Sequence, residues 1–189
     1  MFAGHFGVAT VVKSKYPELP LWSLLVSTQL LDLVFIPFSL GGLESIEPIG
    51  EGGYGSMAIN AFYTHSLVGA LIISLLAGII SGQFWGKNSG VIIGLVSFSH
   101  WILDLIVHRP DLPILPGNIG DLPLLGFGLW NSFIGSFLLE FLLIAVGCFF
   151  YFRYLLKKKS SKEKRGKIII VGSTITLLFF LSLVWDAFL

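Results

Sequence analysis

The sequence predicts an all-α integral membrane protein, on three observations: its composition, the length of its apolar runs and the placement of its charges. Of 189 residues, 54% are hydrophobic and 12% charged, and the mean hydropathy is +0.86, far outside the composition of soluble domains. The apolar runs are each near or above the ~20 residues that a helix needs to cross a bilayer. When these runs alternate in direction, eleven of the twelve basic residues fall on one side. One membrane-embedded helical domain, 1–189, follows. Its single cysteine, Cys148, lies in a span, so no internal disulfide is expected.

Residues 1–15 read as a short N-terminal half-helix that dips partway into the membrane. Lysines follow its apolar run instead of preceding it, unlike a signal peptide. About five transmembrane helices come next, at Leu19–Gly41, Phe62–Ser81, Ser89–Val107, Gly126–Tyr154 and Lys167–Phe188. Lys13, Lys15, Lys87, Arg153 and the basic loop 157–167 share one side, and Arg109 lies on the other. The positive-inside rule makes the lysine side cytoplasmic, with the N-terminus there and the C-terminus outside. Glu44–Tyr54 and Asp111–Leu122 then face outward, and Gly52-Gly53-Tyr54-Gly55 reads as a flexible outer loop. The basic loop reads as an anchor against anionic membrane lipid. No nucleic-acid partner is expected, because neither interleaved aromatics nor a reader motif accompanies it.

Two stretches echo each other: Leu25-Val-Ser-Thr-Gln-Leu-Leu-Asp-Leu33 and Leu95-Val-Ser-Phe-Ser-His-Trp-Ile-Leu-Asp-Leu105. Each follows a helical segment with a histidine near its start, His5 and His65. This is a weak parallel internal repeat, of the kind that places sites between halves of membrane folds.

The chemistry-bearing pattern is His100, Asp104 and His108, spaced four apart inside a span, hence stacked along one helical stripe. Ionisable groups at bilayer depth face a bundle interior, a cavity or a partner. A rise of ~1.5 Å per residue from the cytoplasmic ends puts His5, Asp32, His65, His100, Asp104 and Glu140 in one layer, ~17–24 Å up. His108 lies higher, at ~29 Å. Imidazole and carboxylate are the usual ligands of zinc, and of iron or manganese where sulfur is absent. His100 and Asp104 at i and i+4 can chelate one ion. The predicted metal set is His5, His65, His100 and Asp104, with Asp32 as a further ligand or as a partner to one. Glu140 or Asp32 would be the general base for a metal-activated water.

Structural readings stand beside these. Pro110 ends the helix, where His108 and Arg109 can satisfy the last carbonyls. Gln29 and Asp32 can hydrogen-bond neighbouring helices, and Glu140 can pair with a histidine without catalysing anything. Asp186 reads as interfacial. Trp22, Trp85, Trp130 and Trp185 suit aromatic belts, and Trp101 reads as packing.

Met1-Phe-Ala-Gly-His5-Phe-Gly-Val-Ala9, Gln29-Leu-Leu-Asp32, Tyr63-Thr-His65-Ser66, Ser99-His100-Trp-Ile-Leu-Asp104 with His108-Arg-Pro-Asp111, and Gly128-Leu-Trp130-Asn131-Ser132 occur in order. Together they resemble the bacterial inner-membrane group called YdjM-like, described as membrane-bound metal-dependent hydrolases. The resemblance spans roughly Met1 to Glu140 and implies a multi-pass protein of the bacterial cytoplasmic membrane, an activity class, but no substrate. The sequence thus leaves three readings. The first is a metal-dependent hydrolase of a lipid or lipid-linked ester or phosphoester. The second is a transporter that uses the His/Asp cluster as a cargo site. The third is a non-catalytic membrane interaction protein whose polar layer fixes helix packing.

Overall fold

A computed structural model describes residues 1–50, 52–157 and 162–188. It contains seven α-helices: α1 (Ala3–Lys15), α2 (Leu21–Thr28), α3 (Leu30–Leu40), α4 (Leu67–Trp85), α5 (Lys87–Val107), α6 (Phe133–Lys157) and α7 (Lys162–Phe188). One antiparallel hairpin, β1 (Ser45–Pro48) and β2 (Met57–Asn60), pairs Ser45 with Asn60 and Pro48 with Met57. Four helices are long and apolar enough to cross a membrane, and the bent pair α2–α3 makes up to five. The chain is an all-α membrane protein.

The short helix α1 sits in the middle, against α2, α5, α6 and α7. Its small residues permit this: Ala3 and Ala9 are fully buried. Gly7 runs so close to α6 that a Cβ there would overlap the Leu143 backbone, and Gly147 meets Gly7 and Thr10 in return. Gly4 faces Glu140 and Thr10 faces Gly147, so α1 and α6 run parallel. One apolar cluster (Ala3, Ile144, Cys148, Phe179, Leu183) fills the side towards α6 and α7. A second (Ala9, Leu19, Leu24, Ile93, Val96) fills the side towards α2 and α5. Leu71, Leu75 and Ile79 of α4 stay exposed, as a lipid-facing surface requires.

The run Leu19–Gly41 is not one straight span. Gln29 leaves helical geometry (φ −113°, ψ 10°), and α2 and α3 meet at 52°. The break turns Asp32, in the first turn of α3, toward the interior. The second span begins at Leu67 and not at Phe62, because Ser66 caps α4, its Oγ accepting from Gly69 N at 3.0 Å. His65 therefore lies in the turn before the helix, not on it. Gly86 (φ 86°) reverses the chain between α4 and α5, a conformation that favours glycine. The fourth expected span starts at Phe133 and not at Gly126: left-handed Gly128 and a short 3₁₀ turn, Leu129–Asn131, precede it. The loop between α3 and α4 holds the hairpin that the sequence reading lacked, with four residues per strand and a glycine-rich turn. The basic loop 157–167 lies partly outside the described residues.

Candidate metal centre

His100 and Asp104 are both buried on α5, and their i, i+4 spacing brings His100 Nε2 to 2.9 Å from Asp104 Oδ2. His65 Nε2 enters from the turn before α4, 3.6 Å from Asp104 Oδ2 and 3.3 Å from His100 Nε2. Asp32 Oδ1 arrives from the α2–α3 break, 3.3 Å from His65 Nε2 and 3.5 Å from His100 Nε2. His5 of α1 stacks on His100, with centroids 3.9 Å apart, and puts Nε2 3.3 Å from Asp104 Oδ1. All four members of the predicted ligand set, and Asp32, converge. Metal–nitrogen and metal–oxygen bonds of ~2.0–2.2 Å at tetrahedral angles space neighbouring donors ~3.3–3.6 Å apart. The other separations, 3.3–3.6 Å, match that spacing, whereas His100 and Asp104 at 2.9 Å stand at hydrogen-bond distance and would part slightly around an ion.

The far side of each ring fixes its protonation. His100 Nδ1 lies 2.7 Å from the Thr28 carbonyl oxygen, which can only accept, so Nδ1 carries the hydrogen. The Thr64 hydroxyl donates to the Glu44 carboxylate at 2.9 Å and accepts from His65 Nδ1 at 2.9 Å. In the neutral rings both Nε2 atoms then present lone pairs to one another and to two carboxylates. Such a focus is unfavourable unless a cation occupies it. Partners behind a histidine of this kind orient it and raise its basicity as a ligand.

The donor atoms form two overlapping groups, His5–His100–Asp104 and Asp32–His65–His100, each within 4.8 Å. With Nδ1 held by Thr28, His100 has one nitrogen to offer, so an ion held by either group takes that same nitrogen. Unpartnered buried atoms mark the same spot: both ring nitrogens of His5, and Asp104 Oδ1. His5 Nε2 and Asp104 Oδ1 are near enough for an ion pair but too poorly aligned for a hydrogen bond. The residues present could hold a metal ion.

The seat forms the floor of a cavity of about 520 Å³. Asp32, His65, Asp104, His108, Tyr54, Trp130 and Asp186 line its polar part, and Phe35, Ile36, Leu40, Ile46, Met57 and Ile59 its apolar wall. The Asp32 side chain is 42% exposed, unlike Asp104 at 4%.

Several placements differ from expectation. His108 and Arg109 do not cap the end of α5 with their side chains. At His108 the chain leaves the helix (ψ 148°), so its ring swings onto Trp130, with centroids 4.2 Å apart, and its Nδ1 meets Asp111 Oδ1 at 2.9 Å. The Arg109 guanidinium donates to the Gly55 carbonyl. Asp186 has a role the sequence did not suggest, because α7 runs antiparallel to α1. The end of α7 thereby meets the start of α1, where Asp186 Oδ2 accepts from Phe2 N at 2.7 Å. The first residues therefore lie beside the end of α7, and only the far end of α1, with Lys13 and Lys15, lies on the lysine side, against the expectation that the two termini take opposite sides. Trp130 belongs to the cavity, not to a belt. Trp101 packs, and also holds the His65 carbonyl through Nε1 at 2.8 Å. Gln29 donates to the Phe2 carbonyl at 3.0 Å.

Glu140 is fully buried but does not line the cavity. Its Oε1 accepts from Gly4 N at 3.3 Å and its Oε2 from the Tyr54 hydroxyl at 2.5 Å. Carboxylates at a helix N-terminus satisfy its free N–H groups and its dipole, so Glu140 and Asp186 together seat α1. Burial, reinforced by the bond to Glu140, holds the Tyr54 phenol above its ordinary range, so it remains a donor. Sequence reasoning missed Tyr54, Glu44 and Thr64 as contributors. The tripeptide Tyr63-Thr-His65 was visible as a motif, but the partner of Thr64 lies twenty residues away.

No family model, curated protein or solved structure matches this chain. Fold and site together define a multi-pass membrane protein with a buried His/Asp group able to hold a metal ion.

Proposed function

We propose that this protein is a membrane-embedded metal-dependent hydrolase. The observation that carries the reading is the meeting of two imidazole Nε2 atoms and two carboxylates, within 3.6 Å of a neighbour, on the floor of an accessible cavity. His65, His100, Asp104 and Asp32 would hold the ion, with His5 behind Asp104. When bound, a divalent ion such as zinc supplies Lewis acidity and makes water nucleophilic near neutral pH.

The remaining work falls to the chain. Asp32, the more exposed of the two carboxylates, is placed to take a proton from the attacking water at its free oxygen. With Nδ1 held by Asp111, His108 has Nε2 left for the cavity it lines, where its imidazolium can return a proton to the leaving oxygen. Thr28, and Glu44 through Thr64, keep the histidines oriented. Glu140 and Tyr54 hold α1 and the loop over the site.

One-sided access supports an enzyme over a carrier. One helical turn from His5, Thr28 and His100, toward the lysine-bearing ends, Ala9, Leu24 and Val96 pack at no more than 4% exposure. The deciding experiment screens lipid esters and phosphoesters with protein purified in detergent, stripped by chelator and reloaded with zinc, iron or manganese. Hydrolysis that is lost on stripping, restored by one metal and absent in His100→Ala supports the proposal. Metal-coupled solute flux in vesicles, with no hydrolysis of any substrate, contradicts it and favours transport.

A further inference from the structure

The charge and shape of the cavity select among lipid substrates. Among the described residues, its lining contains Asp32, Asp104 and Asp186 but no lysine or arginine. Arg109, which lies nearby, is committed to the Gly55 carbonyl. The Met1 amine lies 4.0 Å from Asp104 Oδ1. Three carboxylates therefore balance one amine and one divalent ion, and a protonated His108 is balanced by the Asp111 carboxylate on its Nδ1, so no net positive charge is left over. Phosphate groups are held by arginine, lysine or a free helix N-terminus. The helix N-terminus at this site, that of α1, is already taken: Asp186 accepts from Phe2 N and Ala3 N, and Glu140 from Gly4 N.

The other half of the cavity is hydrocarbon. Phe35 and Ile59 lead outward from Asp32 and His65 to Ile36, Leu40, Ile46 and Met57, which are 52%, 84%, 51% and 44% exposed. These four residues line a wall that is open at the rim, between the end of α3 and the hairpin. The volume is that of a site for one small ligand, so one chain with a compact head fits it better than a two-chain lipid held whole.

We propose that the substrate is a single-chain amphiphile whose scissile group is an uncharged carboxylic ester, and not a phosphoester. This rests on the hydrolase reading above and narrows it. The acyl chain lies along Ile36, Leu40, Ile46 and Met57, and the carbonyl reaches the His/Asp floor. A bond forms between the water oxygen and the carbonyl carbon, and the bond from that carbon to the alcohol oxygen breaks. Asp32 receives a water proton and His108 supplies one to the departing oxygen, giving a fatty acid and an alcohol.

The test is a binding measurement that does not depend on turnover. Three probes share one brominated stearoyl-length chain and differ in head: a glycerol monoester, an alkyl phosphate and an alkyl trimethylammonium. Each is mixed by stopped flow with metal-loaded protein in detergent and read before a turnover is completed, and quenching of Trp130 is isolated by comparison with Trp130→Phe. The ester should bind at least tenfold more tightly than either charged probe. Leu40→Asp, at an exposed rim position that leaves the fold intact, should weaken the ester several-fold. Ser39→Lys, which adds a cation to the lining, should narrow the gap between phosphate and ester. Equal binding of all heads, or tighter binding of the phosphate or the ammonium, overturns the proposal. Cleavage of a phosphoester but not of the monoester also overturns it while leaving the hydrolase reading standing. Tight ester binding with no cleavage of any substrate sinks the hydrolase reading instead, and the proposal with it.

Discussion

Thr64→Val tests whether the relay behind His65 sets the affinity of the seat. The substitution keeps the volume of the side chain but removes the hydroxyl that links Glu44 to His65 Nδ1. Glu44 retains the backbone N–H groups of Tyr63 and Thr64, at 2.7 and 2.8 Å, so the turn before α4 keeps its anchor. The ring loses its fixed tautomer, and Nε2 no longer always presents a lone pair to the ion. Losing a partner of this kind costs about 10–100-fold in metal affinity, equivalent to ~1.4–2.8 kcal/mol at ~1.4 kcal/mol per tenfold. The assay is competition for zinc against a chromogenic chelator in detergent, with Thr64→Ser as the control that keeps the hydroxyl. Thr64→Ser should match the wild type. If Thr64→Val also binds zinc with wild-type affinity while folded, the relay does not act on the metal and the tautomer argument fails.

Asp32→Asn should lower turnover by ~10²–10⁴-fold, the usual cost of losing a general base, whereas Glu140→Gln should chiefly lower thermal stability. The opposite pattern would transfer the role of base to Glu140. Gly7→Ala should destabilise the fold by ~1–3 kcal/mol, read by thermal unfolding, because its new methyl meets the Leu143 backbone. Metal affinity should fall as the pH is lowered from about 8 to about 5, since protons compete with the ion for each ring nitrogen. Isothermal titration across that range checks the sign. Cysteines introduced at Ser160 and Gly52 should label from opposite faces of intact cells, Ser160 from the cytoplasm. Outer labelling of Ser160 would reverse the orientation.

The apolar runs and the shared depth of the ionisable residues were legible because composition and rise per residue determine them. Azimuth was not legible, since no spacing shows which way a helix is rotated about its axis. His65 was expected on a helix because Thr64-His65-Ser66 adjoins an apolar run, although Ser66 itself is an N-cap residue and signals the true start. The hairpin escaped because its strands are four residues long, without sustained alternation. Asp186 was read by its place near the end of the sequence, whereas the antiparallel course of α7 carries it back to the start of α1. Glu44, Tyr54 and Asp111 lie in loops whose contacts depend on tertiary packing, so local pattern could not assign them. The converging histidines and carboxylates stood out because imidazole and carboxylate are costly inside a bilayer and rare there without a partner.

X-ray absorption spectroscopy of the zinc-loaded protein tests the central claim most directly. One ion per chain, with a shell of nitrogen and oxygen donors at ~2.0–2.2 Å and no sulfur, is the predicted result. His100→Ala should lose the ion, and His108→Ala should keep both the ion and its spectrum, since that ring is turned toward Asp111. A folded wild-type protein that takes up no metal, or one whose spectrum is unchanged by His100→Ala, would contradict the account.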